Sequence, residues 1–270
     1  MHPHDEGTYG NLIEALYGLK KITKIHGDRY GLITMISRSD EDENLIFGVL
    51  STFLEIEIDG EWFNTETMEE ATDNDVSSIN IPEYLHPNLK TFRFMFNLKR
   101  HELVFEHYAD GDRLTHHSAL NFFKNLTSDR VIFSRFGDIK VNLITDRGNV
   151  DRIFAIPRIT DLDILIERPN SDLWGEDFED QAEEHLEDKN ARSMNVQYKA
   201  EKGQGIRRDE DLDALIRASI NNGRSVAKGY GVNGHMLVST DDYPKVVQEM
   251  YDQDVESGTV FRRLARTFRR

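Results

Sequence analysis

The sequence predicts an α+β fold: a β-hairpin-rich N-terminal half over residues 1–130, and a mixed α+β half over 131–270 that ends in a basic helix. Three observations predict it. Short alternating runs separated by turn residues fill the first half. Helical apolar spacing marks Tyr9–Ile22 and Asp209–Ile220. Between them, FGDIKVNLITDRGNVDRIFAIPRITDLDILIERPN (Phe136–Asn170) reads as two β-type runs flanking a short helical segment.

In order along the chain, Met1–Gly7 is a polar terminus. Tyr9–Ile22 places Leu12, Ile13, Leu16 and Leu19 on one helical face, and Lys20, Lys21 and Lys24 follow where cations suit the helix dipole. Tyr30–Ser37 and Leu45–Ile58 are β-runs, the second long enough to need a bend or bulge. Asp59-Gly60 signals a hairpin with its return strand at Glu61–Asn64. Glu66–Ser78 is an exposed helix or loop, and Ile81-Pro82 and His86-Pro87 bracket a rigid connection. Leu89–Tyr108 is another hairpin turning near Leu98–Arg100. Its Phe92, Phe94 and Phe96 share a face and are expected to pack in the core. Asp110-Gly111-Asp112 turns the chain, and Ser118 is the expected N-cap of a helix over Ala119–Leu126 with Leu120, Phe123 and Leu126 inward.

Within the central stretch, Asp138–Thr145 and Thr160–Arg168 are the two β-runs and Gly148–Ile156 the helical turns. Ser171–Asn190 is acidic, with Trp174, Phe178 and Leu186 as apolar anchors. Met194–Ala200 is a strand, Lys202–Arg208 a basic glycine-containing loop, and Asp209–Ile220 a helix stopped by Asn221-Asn222-Gly223. Arg224–Tyr230 and His235–Ser239 form a hairpin. A last helix is expected from near Pro244, capped by Asp241–Asp242, continuing through Thr259–Arg270 with a break at Ser257-Gly258.

Composition bounds the chemistry. The chain has 270 residues, enough to bury a core, and 38% hydrophobic residues. It has no cysteine, which excludes disulfides, thiolate catalysis and Cys-bound zinc. No apolar run is long enough to span a bilayer, and the N-terminus lacks a signal-peptide core, so a cytoplasmic protein is expected. A net charge of −16 argues against a generic nucleic-acid coat, though not against a local basic face.

The basic C-terminal segment is that candidate face. Phe261, Leu264, Ala265 and Phe268 recur at helical spacing, while Arg262, Arg263, Arg266, Arg269 and Arg270 cover the rest. Five guanidinium forks on one helix suit a phosphate backbone. The same arginines also suit acidic residues of this chain or of a partner subunit, or the surface of a membrane. Lys202, Arg207 and Arg208 form a weaker cluster, without Walker-A or dinucleotide spacing. Asp138, Asp161 and Asp163 are the candidate acids of a metal-dependent nuclease. No elbow, HExxH or other catalytic motif supports an enzyme, and no cofactor is expected.

Several segments taken in order carry a resemblance: LNFFKNL, FGDIKVNLI, TDLDILIERPNSD, MNVQYKAEKGQGI, NGRSVAKGYG and STDDYP. In architecture the chain resembles an uncharacterised bacterial family met near phage-defence genes. More distantly it is similar to the lambda exclusion protein RexA and to KwaB of the Kiwa defence system. The resemblance implies a DNA-binding or sensing subunit of an anti-phage system, one that takes double-stranded DNA without reading sequence; a homo-oligomer, a dimer, is expected, with a membrane protein or another defence component as partner. A metal-dependent nuclease and an adaptor working only through protein contacts are the alternatives. The resemblance carries over no catalytic residue.

Overall fold

The computed structural model describes residues 7–146, 148–167, 185–186, 188–221, 223–251 and 256–267. The fold is α+β, with the strands largely antiparallel. It divides into two compact units: Gly7–Phe96 with Leu103–Ile139, and Asn97–Glu102 with Lys140–Arg270. The expected boundary after residue 130 lies just before this division, so α4 (Arg130–Phe136) belongs to the first unit.

The first unit is built on a five-stranded sheet ordered β1 (Thr23–His26), β2 (Arg29–Arg38), β3 (Leu45–Leu54), β6 (Lys90–Asn97), β7 (Glu102–Phe105). The helix α1 (Thr8–Gly18) buries Leu12, Ile13 and Leu16 and packs on β2. The expected core role of Phe92, Phe94 and Phe96 holds, for all three are buried. The Phe94 ring meets Phe123 edge-on at 5.8 Å. Phe123 lies on α3 (His116–Thr127), which packs on β1. The N-cap of α3 is Thr115 rather than Ser118. Thr115 is extended and its hydroxyl oxygen accepts from the Ser118 backbone N–H at 3.1 Å, while Ser118 is buried in the first turn. Phe122, with no exposed surface, joins Phe123 and Leu126 on the inward face.

Two expectations about strands fail here for one reason: a strand needs an open edge beside it. The β3 strand stops at Leu54, where Leu54 N–H donates to Pro87 O and Glu55 N–H to Asp28 O. Asp59-Gly60 therefore does not fold a return strand onto β3. Residues 63–64 (β4) pair instead with β5 (Glu69–Glu70), ahead of the short α2 (Asp73–Ser77). A tight β8 (Tyr108–Ala109) and β9 (Asp112–Arg113) hairpin does form at Asp110-Gly111, both with positive φ.

The second unit centres on a four-stranded sheet ordered β11 (Ser193–Lys199), β10 (Arg158–Glu167), β12 (Gly223–Gly231), β13 (Gly234–Ser239), all antiparallel. Both edges of β10 are taken by β11 and β12. Asp138–Thr145 does not form a strand; among the described residues it makes a single bridge, Thr145↔Pro244. The helical turns expected next are α5 (Asn149–Phe154). One face of the sheet is covered by α6 (Glu210–Asn221), which packs on β10 and β12, and by α5, which packs on α6. Ile153, Ile164, Ile216 and Ala227, all with no exposed surface, lie at the centre of this core. Where α6 meets β12 the buried hydroxyls satisfy one another. Ser219 and Ser225 share a 2.7 Å hydrogen bond, Thr240 Oγ1 accepts from Ser225 N–H, and Thr145 Oγ1 donates to Ile220 O.

The last helix, α7, spans Ser257–Thr267 rather than starting near Pro244. Tyr243 O accepts from Asp146 N–H and Lys245 N–H donates to Ile144 O, which holds residues 243–245 out of a helix. The acidic segment Ser171–Asn190 lies mostly outside the described residues, though Leu186 is buried in the core of this unit. Among the described residues no helix is long and apolar enough to cross a membrane.

Candidate nucleic-acid interface

The α7 helix reads SGTVFRRLART, with three arginines and no acid. Val260, Phe261 and Ala265 fall within one helical stripe and are buried, with Leu264 half-buried beside them. Burial of that stripe sets the opposite side outward. Arg262 and Arg263 are exposed and Arg266 is half-buried. Glu249 forms an ion pair with the Arg263 guanidinium, whose side chain is still 55% exposed. Arg262 and Arg266 also make interactions within the protein. Arg269 and Arg270 lie outside the described residues.

The basic loop before α6 divides into two parts. Lys202 and Arg207 are exposed. Arg208 is committed to structure. Its Nε and Nη2 donate to the two carboxylate oxygens of Asp213, each at 2.8 Å, and its Nη1 lies 2.9 Å from Asp151. The guanidinium also covers the Phe154 ring at 4.8 Å. Hydrogen bonds that Arg208 donates to Asp213, then to Asp151, raise its pKa above an already high ordinary value. A bidentate pair of this kind leaves little for phosphate and ties the loop to α5 and α6.

The sheet presents a second surface that the sequence reading passed over. Opposite its helix-covered face, β12 turns Arg224, Val226, Lys228 and Tyr230 outward, since Ser225 and Ala227 between them are buried. The register places Lys199 and Lys228 on either side of Asp161. It also aligns Arg158, Tyr230 and His235, with the Arg158 guanidinium 4.8 Å from the Tyr230 ring. Alternate polar residues in GRSVAKGYG were the available signal. This face also carries Asp163 and Glu167, so its charges nearly balance. That leaves α7 as the more concentrated positive element.

The candidate nuclease acids are distributed differently. Asp138 belongs to the first unit, while Asp161 and Asp163 belong to the second. Asp161 accepts from Thr160 Oγ1 at 2.9 Å and Asp163 from the Gln197 amide at 2.8 Å. Among the described residues no three His, Cys, Asp or Glu side chains are grouped to hold a metal ion. In the first unit a groove of about 430 Å³ runs between α1 and α4, lined by Asn11, Glu14, Leu19, Val131 and Arg135 among others. Its Glu14 is already paired with Arg38 at 2.7 Å.

No curated protein and no solved structure matches the chain. A family model does, over residues 1–266: the one described as Domain of unknown function (DUF4747). The chain therefore belongs to the DUF4747 family.

Proposed function

We propose that this protein is a sequence-independent DNA-binding or sensing subunit of a bacterial anti-phage system, holding the duplex backbone with the outward arginines of α7. One observation carries the reading: in a chain of net charge −16, an anchored helix exposes Arg262 and Arg263 beside Arg266, with no acid among its eleven residues. Such contacts position a protein on DNA and carry no sequence information. Lys202 and Arg207 supply further exposed charge; Arg208 does not take part. The defence setting, and a membrane protein or other defence component as partner, rest on the resemblance in Phe136–Asn170 and Asn222–Pro244. The acidic remainder of the surface repels phosphate, so binding is weak and steeply dependent on salt.

Fluorescence anisotropy with a short random-sequence duplex tests this. If three phosphates are neutralised, the slope of log affinity against log salt is about −2.7, a loss of roughly 40-fold between about 50 and 200 mM. The double variant Arg262→Ala/Arg263→Ala makes the slope shallower by about 1.8. No binding at low salt, or an unchanged slope in the variant, refutes the reading.

A further inference from the structure

We infer that β13 is a docking edge for a second copy of this chain, joining two C-terminal sheets into one continuous eight-stranded sheet. The inference stands independently of DNA binding.

Sheet edges offer unpaired N–H and C=O groups to any passing strand. Proteins blunt them with charged side chains, proline or bulges. The two large sheets have four edge strands: β1, β7, β11 and β13. Three carry a charge, namely Lys24 in β1, Glu102 in β7 and Lys199 in β11. The fourth, GHMLVS, carries no Asp, Glu, Lys or Arg, and neither do Val232 and Asn233 before it. It has no proline, and its register with β12 runs without a bulge from Gly231↔Gly234 to Val226↔Ser239. Among the described residues no backbone group pairs with its outer side. Its Leu237 is 57% exposed, and Val232 in the turn before it is 99% exposed.

These features select a second copy over a foreign strand. In a two-fold pair of antiparallel edges, residues equally spaced on either side of the axis meet, so a charge on the axis would face its own copy. An uncharged strand in a chain that is 30% charged meets that condition. With the axis at Leu237, opposite Lys228 on the open face of the sheet, that side chain packs against its own counterpart. Met236 and Val238, on the helix-covered face, extend the core across the junction. Two copies of net charge −16 repel each other, so the uncharged edge is where they can approach, and pairing strengthens as salt rises. DNA binding responds to salt in the opposite direction.

The test is sedimentation velocity on the full chain, without DNA, over about a hundredfold concentration range. The wild type should shift from monomer to dimer. Leu237→Lys, at an exposed position, should keep the same far-ultraviolet circular dichroism and dimerise about tenfold or more weakly. The natural chain has no cysteine, so single-cysteine variants give clean cross-links. A short bis-maleimide should couple Leu237→Cys into dimers and leave Asn195→Cys, on the opposite edge, monomeric. A wild type that stays monomeric throughout overturns the inference. So does a Leu237→Lys variant that dimerises like the wild type, or equal cross-linking at the two cysteines.

Discussion

Gly48, in the middle of β3, faces the Phe94 ring across the sheet. A Cβ at this position would lie 2.2 Å from Phe94 Cζ, 2.5 Å from Cε1 and 2.8 Å from Cε2. Ordinary carbon contacts are about 3.5–4.0 Å, so the ring must retreat by more than about 1 Å. It has nowhere easy to go, since Phe94 is 1% exposed and is backed by Phe123, itself edge-on to Phe122 at 5.1 Å. Forcing extra volume into such a core costs about 1–3 kcal/mol. Against this, alanine restricts the unfolded chain and returns about 0.4–1 kcal/mol. Gly48→Ala should therefore destabilise the first unit by about 1–2 kcal/mol, lowering the urea midpoint by roughly 0.5–1 M. The decisive measurement is a double-mutant cycle with Phe94→Leu, which removes the clashing atoms. That substitution should be markedly less harmful, or even stabilising, in the alanine background. Additive effects, or a Gly48→Ala protein as stable as the wild type, would refute the packing argument.

Two further outcomes follow from other contacts. At Gly223 a Cβ would lie 2.0 Å from the Leu165 carbonyl oxygen, and φ is 153°. Because the obstacle is backbone, Gly223→Ala should cost more than Gly48→Ala, and no side-chain truncation should rescue it; a urea midpoint close to the wild type would contradict this. Glu106 is 9% exposed and accepts from the Arg93 N–H at 2.7 Å and from its guanidinium at 3.0 Å. Burial raises its carboxyl pKa, and the bonds from Arg93 oppose the rise without cancelling it. The folded protein thus holds this proton more tightly than the unfolded chain. The stabilisation is complete below the ordinary glutamate pKa of about 4.3 and is lost as pH rises through the higher folded value. Glu106→Gln cannot ionise, so its stability relative to the wild type should improve between about pH 4 and pH 7. Parallel pH profiles would show that the site contributes nothing.

Much of the fold was legible because the period of the apolar residues is a local property. The Phe92–Phe94–Phe96 alternation, the α6 stripe of Leu212 and Ile216, and the β12–β13 hairpin all follow from it. What escaped was set by distant partners. Asp138–Thr145 alternates like a strand, but its pairing reduces to one bridge between Thr145 and the distant Pro244. Asp59-Gly60 has the chemistry of a hairpin, yet β3 ends earlier, where Leu54 and Glu55 N–H donate to the carbonyls of residues 87 and 28. The candidate site divides in the same way. The amphipathic pattern of α7 could be read directly from Phe261, Leu264 and Ala265. The capture of Arg208 by Asp151 and Asp213 could not, because one of those carboxylates lies 57 residues away. The outward row Arg158–Tyr230–His235 depends on strand order, which no local window contains.

The strand order also sets a sequence of events in time. The β12–β13 hairpin closes across Val232 and Asn233 and can form within microseconds. The β10–β12 ladder instead joins Ile166 to Gly223 across a long intervening segment, and loop closure makes it later. On a ribosome the interval is longer still. After Glu167 has been made, roughly 3–13 s pass before Gly231 completes β12. During that time the apolar row Ile159, Leu162, Ile164 and Ile166 has at most β11 beside it and waits for both α6 and β12. The centre of the finished sheet is thus the part of the nascent chain that stays sticky longest, and the one a chaperone would have most reason to hold.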